Sequence, residues 1–151
     1  MKRLLIVYHS QSGNTEVMAG AVYRGARRER EIDVRIGRVQ EAGLADLLRC
    51  DGLLLGSPEN FGTMAGAVKD FFDRTYYPAQ AQGVNLPYAL FISAGNDGSG
   101  AIRQIDRIVQ SYPMKKIAEP VLCRGPADAA VLAACEELGE AFAAGLALGI
   151  Y

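Results

Sequence analysis

The chain has 151 residues, 50% of them hydrophobic and 22% charged, and its 16 Lys and Arg residues against 17 Asp and Glu residues give a formal net charge of −1. That length favours a single domain over residues 1–151, with enough core to fold without disulfides. The balanced charge argues against a dedicated nucleic-acid-binding protein, which would carry a basic excess, and no polybasic segment suggests a membrane partner.

Cysteine usage and the termini indicate a cytoplasmic protein. Cys50, Cys123 and Cys135 form no C-x-x-C pair and have no zinc-site spacing, so we expect reduced thiols and no metal site. The amino-terminal apolar run, Leu4–Tyr8, is too short for a signal peptide. No stretch reaches the roughly 20 apolar residues that span a bilayer.

Apolar runs alternate with helical patterns along the chain. Buried or half-buried strands are predicted at Leu4–Tyr8, Ile32–Ile36, Leu53–Leu55, Ala89–Ile92 and Ile117–Leu122. Helices are predicted at Thr15–Arg28, Leu44–Leu48, Met64–Thr75 and Ala101–Tyr112, and from Pro126 to near Leu148. This alternation predicts an α/β fold of three layers, with a five-stranded parallel sheet covered by helices on both faces.

The composition of each strand predicts its place in the sheet. Strands one, three and four are nearly pure apolar runs, as expected for central strands. Strand two carries Asp33 and Arg35, and strand five carries Pro120, which are tolerated at sheet edges. The predicted order is therefore 2-1-3-4-5. In such a sheet, ligands bind beyond the carboxyl ends of the strands, where the order reverses.

Three loops rich in small and polar residues lie at that edge, spanning residues 9–15, 56–63 and 93–100. The first places Ser10, Ser12 and Thr15 around Gly13 at a strand-to-helix turn, a pattern typical of a phosphate site. It has no Lys or Arg, which excludes the phosphate loop of nucleotide triphosphatases and favours a terminal phosphate monoester. The alternative is that these hydroxyls only cap the helix.

Two segments carry a resemblance to a known family. Residues 6–15, continuing through 19–22, match the phosphate-binding signature of flavodoxins, and residues 56–73 look like the second flavin loop and its helix. The chain therefore resembles the flavodoxin-like FMN-binding family. It is nearest to short-chain flavodoxins and to the NAD(P)H:quinone oxidoreductases named after tryptophan-repressor binding.

The resemblance implies FMN as cofactor and a flavodoxin-like fold. It implies that the flavin carries the chemistry, so no catalytic side chain is expected. The phosphate would lie on the first loop, at Ser10, Gln11, Ser12, Gly13, Asn14 and Thr15. The flavin ring would lie between the second and third loops, at Ser57, Pro58, Glu59, Asn60, Phe61, Gly62, Ser93, Ala94, Gly95, Asn96 and Asp97.

Some of these residues have a plainer interpretation. Phe61 is either a platform for a flat ring or a loop hydrophobe folded into the core, and Gly62 leaves its peptide free to flip. Asn96 and Asp97, set among glycines, either bond the flavin edge or form only a tight turn. The role of His9, the one histidine, stays open.

Two functions remain, of different classes. One is an FMN-dependent NAD(P)H oxidoreductase that reduces a quinone or similar small acceptor, and the other is a non-enzymatic electron carrier that docks on redox partner proteins. The net charge of −1 favours the enzyme, because carriers steer towards their partners by a strongly acidic surface. The lack of a second aromatic in the third loop also favours the enzyme, because it would leave one flavin face open for a nicotinamide or a quinone. The apolar last helix and Tyr76–Tyr77 leave homo-oligomer formation open.

Overall fold

The computed structural model describes all residues, Met1–Tyr151. Its strands are β1 (Lys2–Tyr8), β2 (Ile32–Arg38), β3 (Gly52–Asn60), β4 (Thr63–Met64), β5 (Pro87–Ala94), β6 (Lys115–Lys116) and β7 (Val121–Arg124). Its helices are α1 (Asn14–Ala26), α2 (Leu44–Arg49), α3 (Gly66–Ala81), α4 (Ser99–Val109) and α5 (Ala129–Ala147), with a single 3₁₀ turn at Val39–Glu41.

The main sheet is parallel and has the predicted strand order. Its order is β2-β1-β3-β5, with β6 and β7 both pairing with the far side of β5. Only β4 runs antiparallel, as the short return arm of a hairpin with β3. The predicted order 2-1-3-4-5 is confirmed, and the reversal of order lies between β1 and β3.

The fifth strand is split, which corrects the prediction of a continuous strand at Ile117–Leu122. Lys116 lies opposite Tyr88 and Val121 lies opposite Phe91, so the outer strand uses more residues than β5 over the same length. Pro120 lies in the extra segment and has no backbone N–H to give to the sheet. The chain therefore bulges away from β5 and rejoins it at Val121.

Three helix boundaries also differ from the predictions by three or more residues, and one is the end of α4, at Val109 rather than Tyr112. Helix α3 continues through Tyr76, Tyr77 and Pro78 to Ala81, whereas a helix ending at Thr75 was predicted. Helix α5 begins after Asp128, whose side chain accepts a hydrogen bond from the Val131 backbone N–H. Pro126 therefore lies in the preceding loop. None of the helices is long and apolar enough to cross a membrane.

Apolar side chains pack in two cores, one on each face of the sheet. Helices α1 and α5 cover one face, where Met18 and Phe142 pack on Ile6 and neighbouring residues. Helices α2, α3 and α4 cover the other face, where Phe71 and Ile105 contribute to the larger core. Strand residues alternate between the two cores, because successive side chains of a strand point to opposite faces.

Helices α1 and α5 approach so closely that glycine is required on both. A β-carbon added at Gly25 would lie 1.9 Å from the Glu136 carbonyl oxygen, and one added at Gly139 would lie 2.0 Å from the Val22 carbonyl oxygen. Ion pairs lie beside this contact, where Arg24 and Arg28 of α1 both pair with Glu136 of α5. Hydrogen bonds from Arg24 and Arg28 lower the pKa of the Glu136 carboxyl.

We expect Gly25→Ala to lower the free energy of unfolding by about 1–3 kcal/mol, because the new methyl group must push α5 away from α1. Gly20→Ala in the same helix is the control: its methyl group meets only Arg24 Nη1, at 3.6 Å. That variant should gain about 0.5–1 kcal/mol from helix propensity. Urea unfolding followed by circular dichroism measures both, and equal effects would contradict the close contact.

Candidate functional site

A cleft of about 460 Å³ opens at the carboxyl edge of the sheet. It is lined by Ser12, Asn14, Pro58, Glu59, Asn60, Ser93, Ala94, Gly95, Gly125 and Pro126. The three loops predicted from the sequence therefore meet, as expected for loops that follow neighbouring parallel strands. A fourth loop, which follows β7, supplies Gly125 and Pro126. The sequence analysis missed this loop, although the predicted fifth strand beside the fourth placed its outgoing loop at the same edge.

The first loop ends at an open helix terminus. Gly13 has φ 99° and precedes α1, and no side chain accepts from the first backbone N–H groups of that helix. Ser10 Oγ accepts a hydrogen bond from Gly13 N at 3.1 Å, which shapes the turn. Gln11 and Ser12 are exposed, and their side chains make no hydrogen bond within the protein. The terminus therefore offers backbone N–H groups, the positive end of the helix dipole and a serine hydroxyl to an anion.

The next two residues of this loop fasten it to its neighbours. Asn14 Nδ2 donates to Gly125 O at 3.0 Å, and Asn14 Oδ1 accepts from Ala127 N at 2.9 Å. The Thr15 hydroxyl is buried and lies 2.7 Å from the Ser93 hydroxyl. The side-chain polar atoms of Asn14, Thr15 and Ser93 thus hold three loops together. The sequence had suggested cofactor binding for all three residues, with helix capping as the alternative for Thr15.

Most of the second loop predicted at residues 56–63 is strand, because β3 continues to Asn60 instead of ending at Leu55. Only the two residues between β3 and β4 form a hairpin turn. Asn60 pairs with Thr63, and the residues between them, Phe61 and Gly62, both have positive φ, at 52° and 77°. Such turns favour glycine and asparagine, and a bulkier residue there costs roughly 1–2 kcal/mol. Phe61 is nevertheless fully exposed, so its ring does not fold back into the core.

Two polar residues of the second loop are engaged within the protein. Ser57 is buried, and its hydroxyl accepts from Ala65 N at 3.0 Å at the start of α3. The Glu59 carboxylate accepts from Gly98 N at 2.9 Å and from Ala101 N at 3.1 Å, at the start of α4. Pro58 and Asn60 line the cleft without such engagements.

The third loop is an exposed turn that leads into α4. Asp97 accepts hydrogen bonds from the Ser99 hydroxyl at 2.7 Å and the Ser99 N–H at 3.3 Å, which lower the pKa of the Asp97 carboxyl. Arg124 Nε donates to the Asp97 carbonyl oxygen at 2.9 Å. Gly95 lines the cleft and Asn96 is exposed beside it. Asp97 thus stabilises the turn, which is the plainer of its two interpretations.

The histidine and the cysteines lie outside the cleft lining. His9 Nδ1 lies 2.9 Å from Gln40 Nε2, towards the β2 edge. Cys123 is buried beside the fourth loop, where its thiol donates to Gly125 O at 3.2 Å. Burial raises the pKa of the Cys50 and Cys135 thiols to about 12. These two thiols are therefore protonated and unreactive near neutral pH.

Comparison with known proteins identifies the family. The model of the NADPH-dependent FMN reductase family matches residues 41–119, just over half of the chain, including the second and third loops. The chain belongs to this family. It is a flavodoxin-like, FMN-binding redox protein.

Curated relatives carry two different names. A flavodoxin of Aquifex aeolicus is 42% identical over 73 residues, which cover 48% of this chain and 40% of the relative. An NAD(P)H dehydrogenase (quinone) of Acidithiobacillus ferrooxidans is 36% identical over 95 residues, covering 50% of this chain and 48% of the relative. The chain thus spans less than half the length of these relatives.

Solved structures establish the fold. A flavodoxin from the domain Archaea superposes with a TM-score of 0.83 at 24% identity, covering 94% of this chain and 96% of that one. A flavodoxin, WrbA-like protein from Agrobacterium tumefaciens superposes with a TM-score of 0.79 at 18% identity, covering 95% and 96%.

The residues at and beside the cleft fit an FMN group. An uncapped helix terminus with an exposed serine suits a phosphate monoester. An exposed aromatic side chain, Phe61, follows the cleft-lining Asn60 and suits a flat ring.

We expect Asn14→Ala to destabilise the first loop, because it leaves Ala127 N without its hydrogen-bond partner and Gly125 O with only the Cys123 thiol as a donor. The cost should be about 1–3 kcal/mol in the free energy of unfolding, with faster amide exchange at Ala127. The control is Asn85→Ala, since Asn85 is exposed and makes no hydrogen bond. Unchanged exchange at Ala127 would show that the tether does not hold the loops together.

Proposed function

We propose that this protein is an NAD(P)H-dependent oxidoreductase that holds FMN in the cleft and reduces a quinone or a similar small acceptor. The observation that carries the proposal is that the cleft lies beside an uncapped helix terminus and is lined by Asn60, the residue before an exposed aromatic side chain, Phe61, at positive φ. FMN supplies the chemistry when bound, since it accepts a hydride and passes electrons on. The protein binds it, orients it and leaves room for a second ring.

The first loop would bind the phosphate of FMN. The N–H groups at the start of α1 and the Ser12 hydroxyl donate to an anion, and the helix dipole favours its charge. The cleft lining has no Lys, Arg or His, so neutral hydrogen-bond donors would bind the phosphate. Asn14 and Thr15 would act mainly by holding the loop in place, since their side chains are engaged with Gly125, Ala127 and Ser93.

The second and third loops would hold the flavin ring. Pro58, Asn60, Ala94 and Gly95 line this part of the cleft, and the exposed Phe61 follows Asn60 directly in the chain. The third loop has no aromatic side chain to cover the opposite side. One face of the ring would therefore be open to a nicotinamide or a quinone.

A non-enzymatic electron carrier is the second candidate, favoured by the 42% identity to a protein named flavodoxin. The formal net charge of −1 speaks for the enzyme, because carriers use a strongly acidic surface to steer towards their partners.

We expect riboflavin to bind at least about 100-fold more weakly than FMN, because it lacks the group that the first loop would hold. Ser12→Ala should weaken FMN and leave riboflavin unchanged, measured by quenching of flavin fluorescence. Ser111→Ala, in the turn that follows α4, serves as the matched control. Equal affinity of the protein for FMN and riboflavin would show that the first loop does not bind the phosphate.

Anaerobic stopped-flow mixing of FMN-loaded protein with NADH or NADPH distinguishes enzyme from carrier. We expect the visible flavin absorbance to bleach within seconds, with a rate that saturates in the nucleotide, and to recover when a quinone is added. Flavin that stays oxidised for many minutes with both nucleotides, yet is reduced by a protein reductase, would establish the carrier instead.

A further inference from the structure

The Glu59 carboxylate joins the second loop to the helix that follows the third. Its Oε1 accepts from Gly98 N at 2.9 Å and its Oε2 accepts from Ala101 N at 3.1 Å, so both oxygens are engaged at the start of α4. We propose that Glu59 is a positioning residue, which holds the Phe61–Gly62 turn against α4 and so presets the Phe61 ring at the cleft. This inference rests on the proposed role of that cleft in binding FMN.

Electrostatics favours a carboxylate at this place. The start of α4 carries the positive end of the helix dipole and backbone N–H groups without partners inside the helix. Gly98, which precedes the helix, has no side chain to cap them. Glu59 therefore caps α4 from the end of β3. Its negative charge interacts with the backbone N–H groups and the dipole of α4, and not with a ligand.

Steric contact holds the turn in the same place. A β-carbon at Gly100 would lie 2.1 Å from the Gly62 carbonyl oxygen and 3.1 Å from Glu59 Oε2. One at Gly98 would lie 2.3 Å from a Leu122 methyl group. The first turn of α4 is thus packed against the hairpin turn on one side and β7 on the other, and the hairpin has little room to move towards α4.

The conformation of Phe61 needs such support. A phenylalanine at φ 52° is in a backbone region that its side chain disfavours, and the exposed ring gains no packing inside the chain. The contacts of Glu59 and Gly62 with α4 hold the residues on both sides of Phe61. Without them, the turn is free to relax and Phe61 to leave its positive-φ conformation.

Amide exchange in the protein without FMN tests the positioning directly. In Glu59→Gln, one carboxylate oxygen becomes an NH₂ group, which cannot accept from a backbone N–H. We expect faster exchange at Gly98, Ala101 and across residues 60–64. The control is Asp46→Asn, where Asp46 Oδ2 accepts from Gly43 N at 2.8 Å at the start of α2, a helix with no hydrogen bond to the hairpin. Unchanged exchange over residues 60–64 in Glu59→Gln would overturn the proposal, whether or not the protein binds FMN.

A double-mutant cycle tests whether Glu59 acts through Phe61. We expect Glu59→Gln to weaken FMN binding about 3- to 10-fold in the native background and to change the visible circular dichroism of bound FMN. In the Phe61→Ala background, the same substitution should have little further effect. Additive losses would show that Glu59 contacts the flavin itself and would refute the positioning role. Failure of the native protein to bind FMN would instead refute the proposed function.

Gly100→Ala provides a second variant, which retains Glu59 and disturbs mainly the contact of Gly62 with α4. Its methyl group would displace Gly62 from α4, so we expect the same change in visible circular dichroism as in Glu59→Gln. Unchanged circular dichroism and affinity in Gly100→Ala would show that the contact between the turn and α4 does not orient Phe61.

Discussion

Parallel pairing of β1, β3, β5 and β7 is the constraint on which the candidate site depends. Because these strands run in one direction, the loops that follow them leave the sheet at the same edge. The order reverses between β1 and β3, so their following connections diverge to opposite faces and leave a crevice there. Each wall of the cleft is one of these loops.

Most polar side chains at the cleft make hydrogen bonds within the protein and are not free to bind a ligand. Asn14 ties the first loop to the fourth, and Thr15 ties it to Ser93 at the end of β5. Ser57 and Glu59 bond backbone N–H groups at the starts of α3 and α4. The groups left free are the backbone N–H groups at the start of α1, the side chains of Gln11, Ser12 and Asn60, and the Phe61 ring. A rigid frame of this kind lowers the entropy lost when a cofactor binds.

Much of the fold follows from local patterns. Short apolar runs bounded by glycine, such as Leu53–Leu55, are typical of a strand covered on both faces, and the charges of β2 mark it as an edge. The helix ends were less predictable, because Pro78 lies inside α3 and Asp128, rather than Pro126, begins α5. The bulge before Val121 depends on pairing with β5, which no local pattern encodes.

The sequence by itself determined the type of site: glycines and hydroxyls after the first strand, and an aromatic residue after the third. It also determined the sheet order, since hydrophobic and charged patterns distinguish central strands from edges. Only the tertiary structure decided what each polar side chain bonds, because Asn14 and Glu59 reach partners 111 and 39 residues away along the chain. A hydrogen bond depends on distances of a few tenths of an ångström, and those are set by how whole elements pack.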